Sequence, residues 1–372
     1  LFAPPQGISE MGIFAWLLGV SILLRTTLTV YFVPYTAMGA ELSTDYDQRT
    51  TIAKARVTLG WIAGMALPAI AFTFFFQPQN GIDGRLVAEN YWYYGILSAA
   101  VAGVTALICI MGTRSVIPWL PVAAAKAPFK WTDPYNDIIG VCVNRNFRIS
   151  IGSSLAFGMS TGAYATLSLY LATYFWELSV AQLAGFVVPT AIATLVAFMV
   201  LGPLGRRFDK PTLMAAFSLV LASNSVWLFG GRLFDVLPAN NHPMLYSLLL
   251  VNTGIAVFSI VCLQIMSASF AADILDELQL QTGKRQEGVI FAVGAFLSKA
   301  TIGAGALIAG VVIQWVGIQS DSLPGQVPAD VLQSLGWFTL IIVAGFSMIG
   351  FGFTTQFRLN RDDHAQLRKT LD

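Results

Sequence analysis

A chain of 372 residues that is 56% hydrophobic and only 11% charged, with a mean hydropathy of +0.68, lacks the polar residues to cover several soluble domains. Its formal net charge of +1 gives no electrostatic footprint for nucleic acid. Three scattered cysteines (Cys109, Cys142, Cys262) and two histidines (His242, His364) are too few for a disulfide framework, a thiolate or histidine metal centre, or a histidine-based triad, so no catalytic, metal or cofactor site is expected.

What remains is a surface that faces lipid. A spanning helix needs about 20 mostly apolar residues. Nine stretches qualify in chain order: 12–38, 57–76, 91–112, 149–175, 181–204, 211–230, 245–271, 288–316 and 336–357. Ten-residue segments of alternating polarity, which a membrane barrel requires, are absent, so the expected class is an all-α integral membrane protein. The chain opens on Leu1-Phe2-Ala3-Pro4-Pro5, which reads as the end of another apolar helix, and an N-terminal truncation is expected.

Lysine and arginine near helix ends are retained on the cytoplasmic side. Of the 21 basic residues, 17 fall in one set of alternate connections, around 41–56, 113–148, 205–210, 272–287 and the tail after 358. The other set holds only Arg85 and Arg232, while Arg25 and Lys299 lie inside spans. The asymmetry predicts a multi-pass protein of the plasma (cell inner) membrane with a cytoplasmic C-terminus. The connection 114–147, punctuated by Pro118, Pro121, Pro128 and Pro134, is the expected divider. It gives a partial three-helix bundle over 1–113, a central cytoplasmic loop over 114–147, a six-helix bundle over 148–358 and a cytoplasmic tail over 359–372. Equal halves would place three more helices in front, in agreement with the orientation argued from charge.

An internal echo supports the halves. Glu41, Asp45, Asp47 and Arg49 follow the first span, and Asp273, Asp276, Glu277, Arg285 and Glu287 follow the seventh, both as carboxylates and then an arginine in a loop between spans. Repeats of this kind are a transporter signature, with substrate held at their interface. The first motif, Val33-Pro34-Tyr35 through Met38, Glu41, Ser43, Asp45, Tyr46, Asp47, Arg49 and Thr50 to Arg56, resembles the signature of the melibiose-permease-like glycoside-pentoside-hexuronide:cation symporters. Ala272-Asp273 and Asp276, then Thr282-Gly283-Lys284-Arg285, Glu287 and Lys299, is similar to that family's second signature. Gly202-Pro203-Leu204-Gly205-Arg206-Arg207-Phe208-Asp209-Lys210 resembles the short loop of the wider major facilitator fold.

The resemblance implies a major facilitator fold of which about nine helices, numbers 4 to 12 of twelve, are present. It implies a secondary transporter working by alternating access, with Arg56 as a sugar-binding arginine. It departs at Phe32, where the family carries a cation-site aspartate, and this favours a proton over sodium as the coupling ion.

Several residues become substrate-site candidates. Lys299 sits near mid-membrane, where an ammonium costs several kcal/mol unless it meets a polar cavity or an anion. It therefore serves either a cavity role or an ion pair with a carboxylate on another helix. Arg56 is either a headgroup anchor or a forked donor to substrate. Arg25 lacks a visible acid and pairs with another helix or binds an anionic substrate. Tyr35, Tyr164, Asn252 and Gln264 are mid-span polar candidates. Asp45, Arg49, Asp273, Asp276, Arg285 and Glu287 form an expected cytoplasmic gate of opposed charges, with a solvated positive loop as the alternative. Gly158-Met159-Ser160-Thr161-Gly162 matches a nucleophile elbow in letters only, since it lies in an apolar helix, and Gly303, Gly305 and Gly310 are assigned to close helix packing.

The resulting expectation is a symporter of a small polar solute, a sugar or glycoside, with a coupling cation (H+ or Na+), the bilayer as its surroundings and a monomeric state. An organic anion or lysolipid is the alternative substrate class. A polytopic membrane enzyme is the rival from another class, and it lacks convergent His, Asp or Cys groups.

Overall fold

The computed structural model describes residue 5 and residues 7–41, 59–78, 83–119, 133–240, 242–282, 287–318 and 324–358. Every regular element among them is helical. The helices are α1 (Glu10–Glu41), α2 (Leu59–Phe75), α3 (Ala88–Thr113), α4 (Asp133–Cys142), α5 (Arg145–Tyr170), α6 (Val180–Gly185), α7 (Val187–Arg207), α8 (Lys210–Leu233), α9 (Pro243–Thr282), α10 (Glu287–Val316) and α11 (Ala329–Thr354). A helix satisfies its own backbone, which lipid cannot do.

Among the described residues, 7 segments are long and apolar enough to cross a membrane: Glu10–Phe32 in α1, α3, the consecutive α6 and α7, α8, most of α9, Ala292–Val316 in α10, and α11. α2 is apolar but shorter over its described residues. α5 has 26 residues but carries Arg145, Asn146, Arg148, Ser150, Ser153, Ser154 and Ser160.

The chain divides into two compact units, Leu1–Ala127 and Pro128–Asp372. In the first, α2 closes in a π-helical turn, Ala71–Phe75, and the Phe76 N–H donates to the Ala71 carbonyl at 3.0 Å. The Phe76 ring packs on Tyr91 and Tyr94 of α3, with centroids 4.8 and 5.8 Å away. A single 3-10 turn, Gly84–Leu86, precedes α3. Asp83 caps it, accepting from the Arg85 backbone N–H at 2.9 Å and from the Arg85 guanidinium at 2.5–3.0 Å. Asn90 donates to the Gly84 carbonyl and Tyr91 to the Arg85 carbonyl, so the turn is sewn to the start of α3.

In the second unit α5 is the central strut. Its first turn is capped by Asn144, which accepts from the Phe147 N–H at 2.8 Å. One face packs on α10 and another on α11. A Cβ on Gly162 would sit 2.6 Å from the Ile302 carbonyl oxygen, and one on Gly305 would sit 2.6 Å from the Met159 oxygen and Ala163 nitrogen. The two backbones therefore touch. Against α11, the Phe157 ring fills the space over Gly350 and the Phe353 ring that over Gly152. Buried Ser160 donates to the Val343 carbonyl at 2.9 Å and meets the Ser347 hydroxyl at 3.0 Å, so this hydroxyl is satisfied inside the bundle.

α7, α8 and α9 pack as a second layer. α5 also closes in a π-helical turn, Leu171–Phe175, with the Trp176 N–H donating to the Leu171 carbonyl at 2.8 Å. Phe175, Trp176 and Phe229 cluster there with Leu228, Leu245 and Leu335 in one buried core.

Three sequence expectations change. The stretch 114–147 is not all loop: it carries α4, whose Val141 is fully buried, and the start of α5. The loop expected at 272–287 is helical up to Thr282, because nothing breaks the helix before Gly283 and because Ile274, Leu275 and Leu278 are buried. At 40 residues α9 is about 60 Å long, twice the hydrocarbon thickness. Of the glycines assigned to packing, Gly305 meets another backbone, whereas a Cβ on Gly303 or Gly310 would meet nothing within 4 Å.

Two outcomes are expected. Gly162→Leu should lower the thermal stability of the purified protein by about 1–3 kcal/mol through overpacking, while Gly303→Ala should match or slightly exceed the parent; equal unfolding curves for Gly162→Leu and the parent would contradict the backbone contact. Burial raises the Asp83 carboxyl, but the hydrogen bonds and charge of Arg85 outweigh it and hold the group below the usual carboxylate range. Stability from a depressed carboxylate is complete above the unfolded value, about 3.9, and is lost as pH falls through the folded one. Rate-corrected amide protection of the 84–86 turn should thus be flat from about pH 7 to 5 and decline only below about pH 4, and Asp83→Asn should lower it at neutral pH.

Candidate functional site

Lys299 is the thirteenth of the 30 residues of α10, close to the middle of that helix. Two residues on, Thr301 is buried against Gly158 of α5. At about 100° per residue, Lys299 lies about 160° around the helix from Thr301, and it is exposed within its unit. The glycine contact between α5 and α10 thus fixes the direction in which the lysine points.

Arg25 is exposed on α1, and Thr29 donates to its carbonyl oxygen at 2.8 Å. Neither Arg25 nor Lys299 makes an ion pair among the described residues. Tyr35 stacks on Tyr31, one turn earlier in α1, with centroids 5.7 Å apart and rests against Phe32 at 6.2 Å. Phe32 therefore lies in an aromatic run and offers no oxygen to a cation. Arg56 lies outside the described residues.

Of the other candidates, Tyr164 is 42% exposed on α5 and Gln264 is exposed on α9. Asn252 is buried, and its amide exchanges reciprocal bonds with Asn224: each Nδ2 donates to the other's backbone carbonyl at 3.0 Å. Trp227 completes the group by donating to Asn224 Oδ1 at 3.0 Å. The pair ties α8 to α9, and Asn252 lies about 18 Å along α9 from Gln264, so the two are not brought together.

The gate residues fall partly outside the description. Asp45, Arg49 and Arg285 lie outside the described residues, and for Asp276 and Glu287 only the helical backbone is described. Asp273 is buried on α9, and Lys210 Nζ donates to its Oδ2 at 2.5 Å. Lys210 opens α8, and only Phe208 and Asp209 separate it from the end of α7 at Arg207, so the second acidic motif and the short basic segment meet within one unit.

Further along the same helix, Glu277 accepts from Asn146 at 2.9 Å and Gln281 from Asn144 at 3.2 Å. Asn144, Asn146 and Gln281 were not singled out in the sequence, although Asp273, Glu277 and Gln281 recur every four residues and so share one face of a helix. Among the described residues no group of three or more His, Cys, Asp and Glu side chains could hold a metal ion.

A chain whose described residues form only helices, with this many of them apolar enough to span, is a multi-pass membrane protein. It belongs to the MFS/sugar transport protein family, whose profile matches residues 1–361; this is a family of transporters and not of enzymes. It is 23% identical over 358 residues to the lactose permease of Leuconostoc lactis, with 94% of this chain and 53% of the relative aligned. It is 24% identical over 323 residues to the putative glycoside/cation symporter YagG of Escherichia coli (strain K12), with 84% and 63% aligned. These relatives bear out the resemblance to glycoside-pentoside-hexuronide:cation symporters, and the chain spans just over half of one and under two thirds of the other.

Replacing Lys210 by Ala removes the ammonium paired with buried Asp273 and should cost about 1–3 kcal/mol, less than for a fully buried pair because the lysine is partly exposed. Thermal unfolding should show Lys210→Ala recovered by a second change, Asp273→Asn. Strict additivity of the two losses would exclude the coupling.

Proposed function

We propose that the chain forms most of a cation-coupled symporter for a small polar solute, a sugar or glycoside, working by alternating access. The observation that carries this reading is Lys299, an ammonium at the middle of a membrane helix, turned away from its own bundle's packing and without a carboxylate partner among the described residues. Hydrocarbon exposure there is too costly, so the lysine serves a polar cavity or a coupling acid. The names of the two relatives support the solute class.

In this reading all nine apolar stretches cross the plasma membrane as helices 4 to 12 of a twelve-helix monomer. The 17 basic residues of alternate connections keep the C-terminus cytoplasmic. Lys299, Arg56 and Arg25 supply cationic donors, and Tyr35, Tyr164, Gln264 and Asn252 supply polar or aromatic contacts. Asp45, Arg49, Asp273, Asp276, Arg285 and Glu287 form the cytoplasmic gate, with part of the Asp273 charge already balanced by Lys210. The coupling ion is a proton: a sodium site wants several oxygen ligands, and Phe32, packed against Tyr35, contributes none.

A second reading, an organic anion or lysolipid as substrate, is favoured by Arg25 and Lys299 both being exposed without an acid partner among the described residues.

Uptake by the full-length protein tests this. Lys299→Ala should abolish concentrative uptake of a glycoside while leaving expression intact. A protonophore should collapse wild-type uptake, and replacing sodium by choline at fixed pH and membrane potential should leave it unchanged. Accumulation at the wild-type rate in Lys299→Ala would refute the role of the lysine, and uptake that follows external sodium would refute proton coupling.

A further inference from the structure

Three arginines gather where α5 begins and α11 ends. Arg145, in the first turn of α5, donates from Nη1 to the Gln356 carbonyl at 2.9 Å, and the Arg358 N–H reaches Asn146 Oδ1 at 3.4 Å. These two bonds splice the segment after α11 onto the first turn of α5. Arg148 follows Arg145 by three residues and so lies above it on the same side of the helix. Arg148 and Arg358 are exposed, and none of the three makes an ion pair among the described residues. Glu277, the carboxylate bonded at this end of α5, is engaged by the Asn146 amide. The N-terminal end of the α5 dipole adds further positive potential at the same place.

The surroundings of these charges are apolar. α4 turns Val141 into the bundle, whereas Ile139 and Val143, next to the start of α5, are 50% and 66% exposed. Further into the span, Leu155 of α5 and Ile349 of α11 are also exposed. A cationic ring at helix ends, beside a short amphipathic helix and below apolar helix faces, matches a phosphate attached to acyl chains better than it matches a soluble anion.

We propose that Arg145, Arg148 and Arg358 form a binding site for the headgroup of an anionic phospholipid, with Ile139 and Val143 lying in the headgroup-to-acyl boundary. The bound phosphate neutralises charges that no carboxylate among the described residues offsets, and it fastens the start of α5 to the end of α11.

The test uses the full chain, delipidated in neutral detergent and titrated with phosphatidylglycerol or phosphatidylcholine, with bound lipid counted by native mass spectrometry. Phosphatidylglycerol should be retained in preference to phosphatidylcholine, and the preference should fall about fivefold for each arginine replaced in Arg148→Gln and Arg148→Gln/Arg358→Gln. Arg148→Lys should keep most of it. Should the double variant fail to fold, the exposed single position Arg148 carries the test alone. Equal retention of the two lipids, or a preference unchanged in Arg148→Gln, would overturn the proposal. So would displacement of phosphatidylglycerol by an equal concentration of glycerol phosphate, which would mark a soluble-anion site.

Discussion

The architecture of the larger unit depends on the contact of two backbones, α5 and α10, at Gly162 and Gly305. In lipid the hydrophobic effect does not pull helices together, so association rests on close van der Waals approach and on hydrogen bonds between helices. Small residues allow that approach here, and it in turn makes the polar face of α5 affordable. Ser160 reaches α11 because α5 is held between α10 and α11, and its hydroxyl is satisfied there. The same contact sets the rotation of α10: with Thr301 pressed on Gly158, Lys299 cannot face its own bundle.

The two ends of the helices are finished with different chemistry. At one end of the larger unit amides and charges do the joining: Asn144 and Asn146 hold the far end of α9, Arg145 holds the chain after α11, and Lys210 holds Asp273. Directional bonds fix angles, so they suit a place where several helix ends must keep register near water. At the other end, α5 closes in a π turn and a packed aromatic residue, and α2 of the smaller unit closes in the same way. The local sequences correspond, Thr73, Phe75 and Phe76 in one and Thr173, Phe175 and Trp176 in the other. In each, the aromatic side chain that follows the wide turn enters the packing of its own unit, over Tyr91 and Tyr94 in one and beside Phe229 in the other.

The acidic motif on α9 is therefore part of the bundle as well as part of the family signature. A carboxylate paired within its own unit has less charge to offer elsewhere, and Lys210 pairs with Asp273 in this way. Asn252 shows a similar commitment. An amide that exchanges bonds with Asn224 fixes the α8 to α9 register, and any contact with solute would be added to that work.

The sequence by itself determined the membrane class, the all-helical fold and the family, because each rests on properties that local composition carries: apolar length, charge asymmetry and two long motifs. It also placed Lys299 at mid-helix, since a rise of 1.5 Å per residue is independent of packing. Tertiary structure alone decided which glycines are contacts, for Gly303, Gly305 and Gly310 look alike in sequence and only Gly305 meets another backbone. It also extended α9 through 273–282, where Ile274, Leu275 and Leu278 find burial that charge counting does not register, and it chose Lys210 as the partner of Asp273, 63 residues away. Such pairings depend on how helices cross, and the crossing is set by side-chain shapes on two faces at once, which no single stretch of sequence contains.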